Sequence, residues 1–172
     1  MIHSRHIFDA TTIAAAAVLT TVVVLGGKAR GDDRSDAMEG ANAIIGQFTQ
    51  AIKTGDAEAM DELIMRDSGI VAFGTDKAER WVGHDQLMDA VRAQFASFST
   101  EDIIVRDAVV RITPLSDGAY FSEVWDWKIK AGDQEMALEN LRVTGVLENR
   151  EGKWQVAQFQ VSMPVGGQAV AY

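Results

Sequence analysis

The sequence predicts an α+β domain with its helices first and an antiparallel sheet after them. Two observations carry this. Between residues 38 and 98 apolar side chains recur at steps of three and four, as on one face of a helix. From about residue 102 the period drops to two, and the two-period runs are separated by hairpin-sized, glycine-containing stretches (PLSDG, AGDQ, REG).

Taken in order, residues 31–36 (GDDRSD) read as a short charged linker. Met38, Ala41, Ile45, Phe48 and Ile52 then form the apolar stripe of a first helix. Ser35 or Asp36 is placed to cap its start and Gly55 to end it. Asp56 caps a short second helix through Met60, Leu63 and Ile64. IVAFG (70–74) is a β-branched and aromatic run, read as a strand, and TDKAERWVG (75–83) reads as a loop. Asp85 opens a third helix carrying Leu87, Met88, Val91, Phe95 and Phe98. Four long strands follow at 103–112, 119–130, 135–149 and 153–165, joined by short turns into a meander. No internal repeat or low-complexity tract interrupts this order.

The 172 residues suit one compact domain and an appendage. At 47% hydrophobic, with four Trp and seven Phe, the chain is too apolar to be disordered. The absence of cysteine excludes a disulfide scaffold, a thiolate metal site and a cysteine nucleophile. Of the 16 basic and 25 acidic side chains, residues 1–34 hold four and three; residues 35–172 keep 12 and 22. A domain this acidic, with no basic stripe, repels a phosphate backbone, so nucleic acid is not expected as a partner.

From Ala10 to Gly27 the chain reads ATTIAAAAVLTTVVVLGG, an uncharged run long enough for a bilayer core. Residues 1–30 are therefore expected to be a signal peptide or a membrane anchor forming an N-terminal hydrophobic helix. Small residues at Gly27, Ala29 and Gly31 suit cleavage. Lys28, Arg30 and Arg34 follow the run and Arg5 precedes it, which favours a cytoplasmic domain. The signal-peptide layout favours an extracytoplasmic, periplasmic one, and that is the expectation, with the cytoplasmic-facing domain as alternative. If retained, residues 7–27 could dock the domain on a membrane-protein complex.

The opening helix ends in KTGDAEAMDEL, FGTDKAERWVGHDQL leads into the third helix, and GKWQVAQFQVSMP closes the chain after the meander. In order and spacing these stretches resemble the SnoaL-like branch of the nuclear transport factor 2-like superfamily, over residues 37–165, with 166–172 as a tail. The resemblance implies a cone: a bent antiparallel sheet wrapped around three helices, a pocket between them, and frequent dimerisation through the sheet. It also implies a choice between ketosteroid-isomerase-like enzymes and non-catalytic binding or assembly modules, because fold leaves function open.

Strand parity supplies the site residues. Phe121, Glu123, Trp125, Trp127 and Ile129 share one face. If that face lines the cavity, burial raises the pKa of Glu123 toward that of a general base; if it is the outer face, Glu123 is solvated. Asn140, Arg142 and Thr144 share a face of the next strand. Gln158, Gln160 and Ser162 share one of the last with Trp154 and Val156. Side by side these offer hydrogen-bond donors to a ligand, or form a polar ladder on a half-exposed sheet. Members of the resembled family often carry histidine where this chain has Gln160, which cannot shuttle a proton. Trp81 is expected to plug the open end of the cone or to stack on a ligand. His84 is expected at the surface or the pocket mouth. Met60, Met65, Met88, Met136 and Met163 suit an adaptable lining or ordinary packing.

Neither a nucleophile elbow, a P-loop, a dinucleotide fingerprint, a zinc helix nor an EF-hand spacing is present, so no metal or cofactor is expected. The sequence reading is thus a membrane-targeted SnoaL-like domain that binds a small apolar molecule or serves as an accessory module, without catalysis. The alternative is an isomerase, cyclase or hydrolase with Glu123 as base and Arg142, Asn140 or Gln160 holding an oxyanion. A homodimer through the sheet is compatible with both.

Overall fold

The computed structural model describes residues 30–167. Nine elements follow one another: α1 (Arg30–Thr54), α2 (Ala57–Leu63), β1 (Val71–Phe73), β2 (Arg80–Val82), α3 (His84–Ser97), β3 (Ser99–Ile112), β4 (Gly118–Ala131), β5 (Gln134–Arg150) and β6 (Lys153–Ser162). The six strands form one curved, unclosed sheet in the order β2-β1-β6-β5-β4-β3. The meander β3 to β6 is antiparallel as expected. The sheet as a whole is mixed, because β1 pairs with β6 in parallel.

Two expected boundaries differ. The charged residues 31–36 are not a linker but the exposed first turns of α1, where Asp32 and Asp33 face the positive end of the helix dipole. Part of the stretch 75–83 is strand β2, since Arg80, Trp81 and Val82 pair with β1. Three residues are too short a run for periodicity to register. The run at residues 10–27, and with it the expected N-terminal helix, lies outside the described residues. Among those described, no helix is long and apolar enough to cross a membrane.

The helix termini follow local chemistry. At the end of α1, Gly55 takes φ +65°, the Gly55 N–H donates to the Ile52 carbonyl and the Asp56 N–H to that of Ala51. This closing pattern requires a left-handed residue at the Gly55 position. Asp56 then caps α2, its carboxylate accepting from the N–H groups of Glu58 and Ala59.

Helix α1 buries Ala37, Ala41, Ile45, Phe48 and Ala51 against β3 and β6, while α2 packs on α1, α3 and β6. Gly40 leaves room for the indole of Trp154 to lie against α1. Register shifts interrupt β3–β4, β4–β5 and β5–β6, each an extra residue that bends its strand. Asp126 pins two of them together: it accepts from the Arg106 guanidinium at 2.7 and 2.8 Å and from the Asn140 N–H at 2.9 Å. The Asn140 backbone bond and Arg106 hold its carboxyl below the usual range.

Candidate functional site

The bent sheet and the three helices enclose a cavity of about 160 Å³. Each element contributes its inward side chains: Phe48 and Ile52 from α1, Met60 from α2, Leu87, Val91 and Phe95 from α3. Trp81 of β2 and Phe98 beyond α3 add aromatic surface, as do Trp125 and Trp127 of β4 and Phe159 of β6. Paired rings brace the wall edge to face, Phe48 with Phe159 at 5.2 Å and Phe98 with Trp127 at 5.7 Å.

Two of the three indole donors in the wall, those of Trp125 and Trp127, are already used. Trp125, fully buried, donates from Nε1 to Glu123 Oε2 at 2.6 Å. Trp127 donates to Thr100 Oγ1 at 3.0 Å, and that hydroxyl donates to the Ile52 carbonyl at 3.1 Å. Polar side chains gather at one edge, where Thr75, Glu79 and Gln94 complete the lining. Gln94 Nε2 donates to Glu79 Oε1 at 3.0 Å, and the Asp76 N–H donates to Oε2 at 2.9 Å.

The inward row of β4 is the one the sequence named, and Glu123 belongs to it: the residue is 7% exposed. Burial pushes its carboxyl above the ordinary value of 4.5, partly offset by the Trp125 hydrogen bond. It nevertheless does not line the cavity, because the Trp125 ring does. Trp81 and Trp125 are thus the expected pocket residues that reach the wall.

Asn140, Arg142, Thr144, Gln160 and Ser162 do not line it, contrary to expectation. Arg142 pairs with Ser162 and Thr144 with Gln160, so the polar sets do meet, but on the outer face. On β5, Arg142 and Thr144 alternate with the buried Leu141 and Val143; on β6 the cause is a parity change. Leu147 pairs with Val156 and Val146 with Gln158, leaving Ala157 extra; Trp154 and Val156 turn inward and Gln158 and Gln160 outward. Asn140 sits in the β5 bulge itself, at φ +57°. On the polar edge, Glu79 and Gln94 were not read from the sequence. They lie beside the Arg-Trp-x-Gly stretch and on α3, and pattern alone gives neither a role.

His84 is also corrected, being buried rather than on the surface. Its Nε2 stands 3.0 Å from Asp61 Oδ1, off the axis of an aligned hydrogen bond, and its Nδ1 stands 3.3 Å from Asp85 Oδ1. Arg66 also bonds Asp61. With both ring nitrogens facing carboxylates, His84 ties α3 to α2 and offers no nitrogen to the cavity. Among the described residues no group of three or more His, Asp or Glu is placed to hold a metal ion.

Comparison with known proteins places this geometry. Residues 41–166 match the family model of the SnoaL-like domain. No curated protein sequence matches the chain. Among crystal structures, a candidate scytalone dehydratase from Novosphingobium aromaticivorans superposes with a TM-score of 0.67 at 10% identity, over 78% of this chain and 89% of that one. A protein of unknown function from Mycobacterium tuberculosis gives 0.65 at 14%, over 81% and 78%. A nuclear transport factor 2-like protein from Cytophaga hutchinsonii gives 0.61 at 16%, over 74% and 98%. At such identities the likeness is one of fold. With the family model spanning most of its length, this chain belongs to the SnoaL-like domain family, on the nuclear transport factor 2-like fold.

Proposed function

We propose that the chain is a membrane-targeted SnoaL-like module that binds a small apolar molecule in its cavity without turning it over. One observation carries the reading: the cavity is walled by aromatic and aliphatic side chains, the indole donors of Trp125 and Trp127 are consumed internally, and Glu123, the base of the enzymatic alternative, stands behind Trp125. A base must come within hydrogen-bond reach of the proton it takes, and Glu123 would have to displace a buried ring to do so. Apolar lining with polar groups at one edge is the usual form of a small-molecule site.

The test is binding of toluene, followed by thermal unfolding, to the chain and to Ala90→Leu, which puts a larger side chain on the cavity wall. Toluene is expected to stabilise the native chain and to lose at least tenfold in affinity for the variant. Equal binding to both would place the ligand elsewhere.

The same reading keeps residues 7–27 as the membrane address, with the domain extracytoplasmic. Proteolysis of spheroplasts, with the outer membrane opened and the inner one intact, tests this, since protection of the domain there would reverse the orientation. The outer sheet face is the proposed homodimer surface, supported by exposed Phe73, Val82, Ile104, Val109, Tyr120 and Val146. Light scattering at a monomer mass would remove it.

A further inference from the structure

We propose that the cavity selects an organic cation, an ammonium group carried on a body of about one ring, with Glu79 as its counter-charge. This rests on the reading of the cavity as a ligand site and goes further in naming the ligand's charge.

Glu79 supplies the formal charge in the cavity lining; no Lys, Arg or His is among the described residues that form it. Nor does Glu79 take part in a salt bridge among the described residues. Its chain neighbour Arg80 is exposed and pairs with Phe73, which places it on the outer face of the sheet. Lys77 is exposed as well.

The carboxylate is held in position rather than loosely solvated. Gln94 donates to one oxygen, the Asp76 N–H to the other, and the Thr75 hydroxyl lies 3.4 Å from that second oxygen. A carboxylate has about four acceptor sites, so capacity remains for a ligand's N–H or for a close quaternary ammonium. Gly74 makes the position accessible, because a Cβ there would overlap the Glu79 carboxylate.

The rest of the wall favours the same charge. Seven aromatic side chains contribute to it, and the negative faces of aromatic rings attract a desolvated cation. An anion would meet a fixed carboxylate, and the indole N–H groups of Trp125 and Trp127 are already spent. The acidic domain as a whole raises the local concentration of cations. Size sets the other limit: about 160 Å³ is close to the ~150 Å³ apolar cavity that accepts benzene in an engineered protein.

Calorimetric titration of the full-length protein at pH 7 with benzylammonium, toluene and benzoate tests the proposal. Benzylammonium is expected to bind at least tenfold more tightly than toluene, and benzoate more weakly than either. Glu79→Gln should bring benzylammonium to the level of toluene, with an unchanged circular dichroism spectrum reporting an intact fold. Equal affinity for benzylammonium and toluene, or a preference that survives Glu79→Gln, would overturn the charge selection and leave the apolar site standing. Failure of all three to bind would overturn both.

Discussion

Trp125 donates its indole N–H to the carboxyl of Glu123 two residues earlier on the same inward row of β4, at 2.6 Å. The bond places the ring in the cavity wall and the acid behind it. It also gives stability a pH dependence. Burial raises the Glu123 pKa above 4.5, so the folded chain retains a proton that the unfolded chain has released. That contribution is complete below about 4.5 and is lost as pH rises through the raised value. Glu123→Gln keeps an acceptor for Trp125 and removes the titration. Its melting temperature relative to the native chain should therefore climb between pH 4.5 and 7. A constant difference across that range would refute the assignment.

Gly145 faces the ring of Phe121 across β4 and β5, and a Cβ there would overlap the ring and come within 2.9 Å of the Gln158 carbonyl oxygen. Gly145→Ala should cost about 2 kcal/mol through overpacking. Gly46, exposed in the middle of α1 with nothing near its missing Cβ, is the contrast. Gly46→Ala should stabilise by about 0.5–1 kcal/mol. Urea unfolding of both variants measures the two signs together.

His84→Ala removes the tie between α2 and α3 and leaves the partly buried Asp61 with its arginine partners alone. A loss of about 2 kcal/mol is expected from a polar group deprived of its buried partner. Toluene binding, read by calorimetry, should survive where the variant is folded, because His84 does not line the cavity. Loss of binding in a folded variant would show that the ring reaches the ligand.

Asp56→Ala should destabilise the chain by about 1 kcal/mol, the worth of a helix N-cap. Asp56→Asn should recover most of it, since an amide oxygen can accept the same N–H groups. Thermal denaturation at constant pH distinguishes a lost cap from a lost charge, which Asn would not restore.

The elements were legible because each is fixed by near neighbours. The stripe from Ala41 to Ile52 defines α1, Gly55 and Asp56 its end and the next start, and the alternation from Phe121 to Trp125 the inward face of β4. The resemblance to the SnoaL-like family rested on the same kind of local order and is matched over residues 41–166. Trp125 was legible as a pocket residue because it follows Phe121 and Glu123 on one face of β4, and Trp81 because the family resemblance set it at the open end of the cone.

The order of helices and strands, the acidic surface, the family and a cavity built without cysteine follow from the residues taken along the chain. Which side of the sheet each polar residue occupies follows from packing across the strands. A single extra residue at Ala157 inverts a strand's parity, and the bulge at Asn140 takes it out of the face it shared with Arg142. Tertiary structure likewise brought Glu79 and Gln94, fifteen residues apart, together at the cavity edge. Periodicity reports the neighbours of a residue along the chain; a carboxylate's partners and a strand's bulges are set by what packs across from it.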